Sequence, residues 1–426
     1  MVEEAQLVQG AHPGPKAGRV LLLAPQPFYD NRGTPIAVRF VVEALSELGY
    51  EVDLITLPFG SDIDVPGLNI IRLPNLIGAR KVAIGFSLAK LAFAVMMLAT
   101  VARRLRRHRY DCVHAVEEAA LMTALCSRKG RPPMIYDMAS SLPEQMSLHG
   151  WFKKLPIAGL FRGAERLMLA RSSAVIASAG LEIEKDAAVP QRCRFVWRFP
   201  ALEIDPVATS SAELRDELRI SADAPILLYT GNFAGYQGVN ILLEALPYVI
   251  RAVPNVMLIM IGAQNSTEIA SLTAKLSKDD LKHLRLLPQV ERRELAQYLH
   301  FADVLVSPRA YGKNFPLKIF DYLAAEKPIV ATDIKAHTCV LDASLAQLTE
   351  TTSKGLAEGI KRVLDDDKRA YELAQAAAAY AQQNLRWEGF VNLIRTLYET
   401  ARKDPGSRAS TDQSSEELKA MNKIGA

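Results

Sequence analysis

One stretch of the chain carries charged side chains at a spacing that suits the binding of an anion. In "SPRAYGKNFPLKIFDYL", Arg309, Lys313 and Lys318 stand before and at the start of a helical pattern. Cations beside the free amides of a helix start suit a pyrophosphate, and Asp321, one turn further on, could accept hydrogen bonds from hydroxyls. A solvated charged face is the alternative interpretation.

A second stretch, "YDCVHAVEEAALM", places titratable side chains where a strand gives way to a helix. His114 falls at the end of the strand, and Glu117 and Glu118 at the start of the helix. Such a group could perform acid–base chemistry. A strand-end histidine is more often simply packed, and carboxylates in a first helical turn are also favoured by the helix dipole, so one glutamate could be a cap.

Three further loops follow predicted strands. In "PQPFYDNRGTPIAVRF", Arg32, Gly33 and Thr34 precede a helix whose amino terminus could bind a phosphate or a sugar hydroxyl; a plain tight turn is the alternative. "YDMASSLPEQM" offers Asp137, Ser140 and Ser141 to hydroxyls, and "YTGNFAGYQGVN" is a Gly-rich turn before a helix. The chain has neither GxGxxG nor GxxxxGK[ST], so neither a dinucleotide site nor a P-loop is indicated.

Short apolar runs alternate with helical patterns along most of the chain, and this alternation positions the loops above. Runs such as "RVLLLAP", "YEVDLITL", "DCVHAV", "PMIYDM" and "AVIASA" predict strands, with amphipathic helices between them. The pattern breaks at 201–211 and then restarts with "PILLYT" and "VMLIMIG". We therefore predict an α/β protein of two doubly wound, Rossmann-like domains facing a central cleft, with ligands at the strand ends.

The predicted domain boundaries follow from these patterns. Residues 1–17 form a flexible amino terminus, 18–203 the first domain and 204–385 the second. The last amphipathic helix, 386–404, is assigned to the first domain, and 405–426 to a disordered polar tail.

Length and composition agree with two domains and with a reducing compartment. The 426 residues are 49% hydrophobic, which is enough apolar material for two cores. Four widely separated cysteines predict neither a zinc site nor a disulfide scaffold. The acidic amino terminus does not resemble a signal peptide, so no export is expected.

The charge is unevenly divided, and the basic part suggests a membrane surface. The first 200 residues hold 25 Lys and Arg against 18 Asp and Glu, and the remainder holds 26 against 29. The apolar run that starts at Ile84 is interrupted by Lys90 and lies between strands of one domain, so we reject a spanning helix. It is either a buried helix with a solvated basic end or a peripheral membrane contact, which we favour, made by Arg103, Arg104, Arg106, Arg107 and Arg109. Nucleic acid is not expected, because no binding motif is present.

Three segments together resemble the family 4 glycosyltransferases of the GT-B fold. "RGTPIAVRFVVEALSELGYEVDLIT" looks like the opening Gly loop of that family, and "YTGNFAGYQGVNILLEAL" stands where it has G-R-L-x-x-x-K-G. "NFPLKIFDYLAAEKPIVATD" stands where it has the E-x7-E helix. The segments "RGTPI", "HAVEEAA", "DMASSLP" and "PLKIFDYLA" are similar to a bacterial-looking subset associated with envelope glycan or glycolipid assembly.

The chain departs from the family pattern at four positions. Asn232 and Gln237 stand where the family has its Arg and Lys, and Lys313 stands where it has the first glutamate. Val116 replaces the second His of an H-x-H pattern. The resemblance therefore leaves phosphate neutralisation to Arg309, Lys313 and Lys318.

The resemblance implies a retaining transferase that uses a nucleotide-diphosphate sugar and no metal or other cofactor. Its acceptor would be a glycan or a lipid-linked molecule, at the inner face of the cytoplasmic membrane. A GT-B epimerase and a catalytically silent GT-B scaffold remain alternatives. The implied catalytic residues are His114, Glu117 and Glu118, and the acceptor-side residues are Arg32, Thr34, Asp137, Ser140 and Ser141. The implied donor-binding residues are Gly33, Gly231, Asn232, Arg309, Lys313, Asn314, Phe315, Pro316, Leu317, Lys318 and Asp321.

Overall fold

The computed structural model describes residues 17–30, 33–79, 88–126, 132–143, 158–181, 183, 189–202, 211–262 and 266–403. The chain forms two compact units. Of the described residues, the first unit contains those up to Trp197 together with those from Phe390 to Lys403, and the second those within Arg198–Gly389. The sequence placed the junction at 203/204. The predicted flexible amino terminus, except Ala17, and the predicted tail lie outside the described residues.

The first unit is built on a seven-stranded parallel sheet. Its strand order is β3-β2-β1-β4-β5-β6-β7. The strands are β1 (Gly18–Ala24), β2 (Tyr50–Thr56), β3 (Leu68–Arg72), β4 (Cys112–Val116), β5 (Met134–Met138), β6 (Ala174–Ala177) and β7 (Arg194–Val196). The central strands β4 and β5 are buried along their whole length, as expected when helices cover both faces of a parallel sheet.

Helices join the strands of the first unit. They are α1 (Gly33–Glu47), α2 (Leu88–Arg107), α3 (Ala119–Cys126) and α4 (Ala158–Ala170), and the last helix of the chain, α13 (Trp387–Arg402), contributes from Phe390 onwards. In α13, Phe390 packs against Phe40 of α1, and Tyr398 packs against Tyr50 of β2. The residues that α13 buries are the apolar stripe seen in the sequence.

The second unit has a six-stranded parallel sheet. Its order is β10-β9-β8-β11-β12-β13. The strands are β8 (Ile226–Thr230), β9 (Met257–Ile261), β10 (Leu284–Leu287), β11 (Val304–Ser307), β12 (Ile329–Thr332) and β13 (Gln347–Thr349). The helices are α5 (Ser211–Leu218), α6 (Val239–Ala252), α7 (Ser266–Thr273), α8 (Arg292–Phe301), α9 (Lys318–Ala324), α10 (Lys335–Thr338), α11 (Ser353–Asp365) and α12 (Asp367–Asn384).

Helices α6 and α11 cover one face of the second sheet. Leu242, Leu246 and Val249 recur at helical spacing on α6 and share a core with Leu356 and Ile360 of α11. Burial of such side chains contributes about 1.5–3 kcal/mol each. The amphipathic patterns therefore specify how these helices face the sheet.

Candidate functional site

The loop after β4 holds Glu117 in a strained backbone conformation. Its φ is +49°, a value that few residues other than glycine adopt, and its amide donates to the carbonyl oxygen of Asp137 at 2.9 Å. Such strain is found most often at functional sites, where surrounding contacts hold it. The backbone therefore directs the Glu117 side chain towards the loops after β1 and β5.

The carboxylate of Glu117 joins three strand-end loops. Gln26, after β1, donates from Nε2 to Oε2 at 2.8 Å, and Ser140, after β5, donates from Oγ to Oε1 at 2.9 Å. Burial raises the pKa of Glu117, and the hydrogen bonds from Ser140 and Gln26 oppose that rise. Glu117 and Ser140, both predicted site residues, thus lie together, while Gln26 was not predicted.

The neighbouring carboxyl group, Glu118, also has a raised pKa. Burial, and then the negative charge of Glu117, raise the pKa of Glu118 to about 7, against an ordinary value of 4.5. The positive charge of Lys90 opposes this rise. A carboxyl group with a pKa near neutrality can accept or release a proton at working pH, as general acid–base chemistry requires.

His114 lies in the core. Its side chain is fully buried, with Nδ1 2.9 Å from Oη of Tyr398 and Nε2 3.5 Å from Oδ2 of Asp137. The ring also stacks on Trp197, whose Nε1 donates to Oδ1 of Asp137 at 2.7 Å. Both ring nitrogens and both Asp137 oxygens thus have partners in the same unit. The catalytic role of His114 and the acceptor role of Asp137 stay predictions, which this burial does not favour.

The remaining acceptor-side predictions fall at two places. Ser141 donates from Oγ to Glu165 of α4 at 3.0 Å. Gly33, exposed, and Thr34, partly exposed, open α1. Arg32 lies outside the described residues. These positions stay predictions as acceptor contacts.

The second unit brings two cations together at its strand ends. Lys318, the first residue of α9, donates from Nζ to the carbonyl oxygen of Thr230 at 2.9 Å and lies 3.9 Å from the ring centroid of Tyr229. Burial and the positive charge of Arg309 hold the pKa of Lys318 well below its usual value. Arg309, which follows β11, is only 4% exposed and donates to Oδ1 of Asn314 at 2.7 Å.

Two glycines let the loop after β8 approach these cations. Gly231, at φ +127°, has no Cβ, and one would lie 3.5 Å from Nζ of Lys318. Gly238, at φ +71°, packs so closely that a Cβ would lie 1.9 Å from the carbonyl oxygen of Pro308. Asn232 stabilises the turn in the same loop, because its Oδ1 accepts a hydrogen bond from the amide of Ala234 at 3.1 Å. The predicted Gly-rich turn therefore borders the loop that carries Arg309.

The start of α9 differs from the prediction. The helix begins at Lys318, after Pro316 and Leu317, and the amides of Ile319 and Phe320 already donate to the carbonyl oxygens of Pro316 and Leu317, each at 3.0 Å. The sequence suggested that free amides at this helix start bind a diphosphate. These two amides are already hydrogen-bonded within the turn, so they are not free to do so. Phe315 packs on Phe320 with ring centroids 4.9 Å apart.

Two predicted donor residues lie in different surroundings from Lys318. Lys313 is exposed. Asp321 is buried, accepts from Nη2 of Arg292 at 2.7 Å and accepts from the amide of Leu202 at 2.9 Å. Because its oxygens bind α8 and the segment that opens the unit, the sugar contact of Asp321 stays a prediction without support from this geometry.

Helix α2 carries four of the five predicted membrane residues, and the fifth, Arg109, follows it. Phe93, Met97 and Val101 form its buried face, whereas Leu91 and Val95 are 53% and 62% exposed. Arg104 turns inward, 3.6 Å from Asp53, so it differs from the exposed arginines Arg103, Arg106, Arg107 and Arg109. Within the described ranges, no helix has the length and apolar character to cross a membrane.

Two other features bear on the predicted chemistry. In the part of the chain that the structure describes, no three His, Cys, Asp or Glu residues could hold a metal ion, and the four cysteines are unpaired with one another. A groove of about 520 Å³ lies between α6 and α7 and is lined by Tyr248, Arg251 and Lys275 among others. None of the predicted site residues lines it, so we do not assign it to the site.

Two family models match the chain, one in each half. Residues 32–185 match "Glycosyl transferase 4-like domain", and residues 210–384 match "Glycosyl transferases group 1". The chain is 24% identical over 401 residues to a phosphatidyl-myo-inositol mannosyltransferase from Mycolicibacterium smegmatis, an alignment that covers 90% of this chain and 94% of that protein.

Solved structures give the same fold. Sucrose-phosphate synthase from Thermosynechococcus elongatus superposes with a TM-score of 0.72 at 20% identity, covering 89% of this chain and 98% of that one. Anabaena HepE in complex with UDP-glucose superposes with a TM-score of 0.64 at 18% identity, covering 90% and 99%.

Two Rossmann-like units with parallel sheets define a GT-B protein, as predicted from the sequence. The chain belongs to the glycosyltransferases whose two halves match the 4-like and group 1 domains, and it is a glycosyltransferase. This assignment confirms the predicted family and enzyme class.

Sequence reasoning missed three side chains of these sites. Gln26 stands between two prolines directly after β1, and Tyr229 and Thr230 end β8. Their position at strand ends was the available signal, because ligands of doubly wound sheets bind there. None of these three side chains carries a charge, which is why the search for cations and carboxylates passed over them.

Proposed function

We propose that the protein is a retaining glycosyltransferase that transfers a sugar from a nucleoside diphosphate to a glycolipid or glycan acceptor without a metal ion. The observation that carries the proposal is the pair Arg309 and Lys318. Burial and the positive charge of Arg309 lower the pKa of Lys318, whose Nζ donates to the carbonyl oxygen of Thr230. Arg309 is buried and Lys318 half-buried, and two such neighbouring cations would gain most from a doubly charged anion, which a diphosphate supplies.

The leaving diphosphate gives these cations a catalytic use. Negative charge grows on it as the glycosidic bond to the donor breaks, so fixed cations stabilise the transition state more than the ground state. In retaining transfer on one face of the sugar, the leaving phosphate itself helps to take the proton of the acceptor. Glu118, with its raised pKa, is a second candidate to receive that proton.

The relatives support the substrate classes of the proposal. The HepE structure contains UDP-glucose, and the mycobacterial relative is named for mannosyl transfer to phosphatidyl-myo-inositol. We propose by analogy a nucleotide-sugar donor, a lipid-linked acceptor and a role in cell-envelope glycolipid synthesis on the cytoplasmic side. The family assignment favours this reading over an epimerase.

Replacement of Lys318 tests the donor site. In Lys318→Met we expect binding of UDP-glucose or GDP-mannose, measured by calorimetry, to weaken about 10–100-fold, since a charge-assisted hydrogen bond is lost. Release of free nucleoside diphosphate should fall at least as much. Lys354→Met, which removes an exposed lysine of α11, is the control. Unchanged donor affinity in Lys318→Met would contradict the proposed site, and donor binding by the wild type without turnover would favour a silent scaffold.

We further propose peripheral contact between α2 and an anionic membrane surface. Its exposed apolar residues Leu91 and Val95 precede a basic end with Arg103, Arg106 and Arg107, the arrangement of an interfacial helix. Neutralising these three arginines together should remove flotation with vesicles containing 30% phosphatidylglycerol, because each cation contributes roughly 1 kcal/mol near such a surface. Arg104→Gln, which changes an inward-facing arginine, is the matched control. Equal flotation of the triple variant and the wild type would contradict the proposed membrane contact.

A further inference from the structure

Two buried side-chain oxygens in the described residues have no hydrogen-bond partner. They are Oε1 of Gln26 and Oε1 of Gln237. Buried polar atoms in folded proteins are nearly always hydrogen-bonded, so each exception points to a group that is missing from the structure. Both atoms are carboxamide carbonyls, which accept hydrogen bonds and cannot donate them.

The two glutamines stand at equivalent places in the two sheets. Gln26 follows β1, which lies between β2 and β4, and Gln237 stands in the loop after β8, which lies between β9 and β11. In each sheet the strand order reverses direction beside that strand. Ligands of doubly wound sheets bind at this switch point, beyond the carboxyl ends of the strands.

Gln26 shows how such a carboxamide is oriented. Its Nε2 donates to the carboxylate of Glu117, and its backbone oxygen accepts from Oγ1 of Thr56 at 2.6 Å. Because Oε2 of Glu117 accepts the hydrogen bond from Nε2, the amide nitrogen faces Glu117 and the carbonyl faces away from it. The unpaired oxygen is thus fixed by its neighbours.

Gln237 is more deeply buried and follows Tyr236, whose ring centroid lies 5.1 Å from the guanidinium carbon of Arg309. It is 8% exposed and ends the 3₁₀ turn Gly235–Gln237. The next residue, Gly238, packs against Pro308, and the amide of Ala310 donates to the carbonyl oxygen of Tyr236 at 3.0 Å. The turn that carries Gln237 is therefore bonded to the loop that carries Arg309.

The chemistry of an unpaired acceptor limits what can satisfy it. A diphosphate offers oxygens that carry charge at neutral pH and accept hydrogen bonds, so it suits Arg309 and Lys318 but not a carbonyl. A nucleotide sugar also carries hydroxyls, which donate. The family resemblance puts a lysine at position 237, and a carboxamide there exchanges a charge for an acceptor.

We infer that Gln237 is a specificity-determining residue that accepts a hydrogen bond from a hydroxyl of the nucleotide-sugar donor. The hydroxyl belongs either to the transferred sugar or to the ribose. The inference rests on the proposed function, since it requires a nucleotide sugar in the second unit. A site built to pair with a hydroxyl discriminates strongly against ligands that lack it, because the buried acceptor is then left unpaired.

Calorimetry with Gln237→Met tests the inference, since methionine is similar in size and lacks the acceptor. The probes are two pairs of ligands, UDP-glucose with UDP and GDP-mannose with GDP. The variant is compared with the wild type using the pair that the wild type binds. We expect the variant to bind the nucleotide sugar about 10-fold more weakly than the wild type does. A loss confined to the nucleotide sugar assigns the hydroxyl to the transferred sugar, whereas an equal loss for the free nucleotide assigns it to the ribose.

Two controls separate the possible failures. Gln382→Met removes the same atoms from an exposed position of α12 and should leave nucleotide-sugar affinity within two-fold of wild type, with thermal melting to verify that both variants fold. Equal affinity in Gln237→Met and wild type would overturn the inference. If the wild type binds neither pair, the proposed function fails instead. Should Gln237→Met not fold, a crystal structure of the wild type with the bound nucleotide sugar decides, and a Gln237 Oε1 more than about 3.5 Å from every ligand hydroxyl would overturn it.

Discussion

The strand ends of the two units carry opposite charges. In the first unit, Glu117 and Glu118 follow the central strand β4, and their carboxyl groups have raised pKa values. In the second, Arg309 and Lys318 occupy the corresponding edge, and Lys318 has a lowered pKa. Each unit thus buries charges at the cost of desolvation, and the sign of the charge indicates which part of the reaction it serves.

The charges at the strand ends have the opposite sign to the net charge of the part of the sequence in which they lie. The first 200 residues carry a net +7 and the rest −3, yet the first unit has the acidic strand ends and the second the basic ones. The excess positive charge of the first part includes the exposed end of α2. Net charge therefore describes the outer surface, whereas the ligand chemistry depends on a few buried and half-buried groups at the strand ends.

The largest effect should come from the close packing of the loops in the second unit. Gly238→Ala would force a Cβ to within 1.9 Å of the carbonyl oxygen of Pro308, at a φ of +71°. We expect a loss of more than about 3 kcal/mol in the free energy of unfolding, measured by urea denaturation. Gly389→Ala is the control, because a Cβ there meets nothing within 4 Å and alanine suits the helix. A loss below 1 kcal/mol in Gly238→Ala would mean that the two loops are not held together in this way.

A smaller loss should follow removal of the buried carboxylate Asp321. Asp321→Ala leaves Arg292 and the amide of Leu202 without that partner, which should cost about 2–4 kcal/mol of unfolding free energy. Free UDP or GDP should bind the folded variant within about three-fold of wild type, because Lys318 keeps its contacts. If instead stability is unchanged and nucleotide-sugar affinity falls 10-fold or more, then Asp321 contacts the donor, as the sequence predicted.

Replacement of His114 tests whether this buried residue of the first unit is structural or catalytic. His114→Gln removes a ring between Tyr398 and Asp137, and we expect a loss of about 1–3 kcal/mol in unfolding free energy. The pH dependence of transfer should keep its shape, since a packed histidine takes no part in proton transfer. Loss of one limb of the pH–rate profile with little change in stability would restore His114 as a catalytic residue.

The fold could be predicted from the sequence to a large extent, since buried parallel strands appear as apolar runs and amphipathic helices as stripes. The edge strands β3, β7 and β13 were missed, because Leu68–Arg72 is only partly buried and the other two, Arg194–Val196 and Gln347–Thr349, are three residues long. The sites were harder to predict. Charge drew attention to Glu117, Arg309 and Lys318, but sequence spacing does not reveal that Asp321 pairs with Arg292.

The smallest effect concerns the pH dependence of stability in the first unit. The folded pKa of Glu118 is raised to about 7 from 4.5, so the protonated form is favoured by folding. Its contribution to stability is present below pH 4.5 and is lost as the pH rises through about 7. Glu117, whose charge adds to the shift, and Lys90, whose charge opposes it, face the same group.

Glu118→Gln should remove this loss. The variant should match the wild type near pH 4.5 and melt at a higher temperature than the wild type at pH 8, while transfer activity falls. Lys318→Met should also melt at a higher temperature at neutral pH, because the ammonium of Lys318 is itself destabilised by burial and by Arg309. Both substitutions would then exchange function for stability, with opposite charges in the two units. Equal melting temperatures of Glu118→Gln and wild type at pH 8 would show that the ionised form of Glu118 is not destabilised by folding. Of the two groups, only Lys318 in the second unit would then carry a destabilised charge.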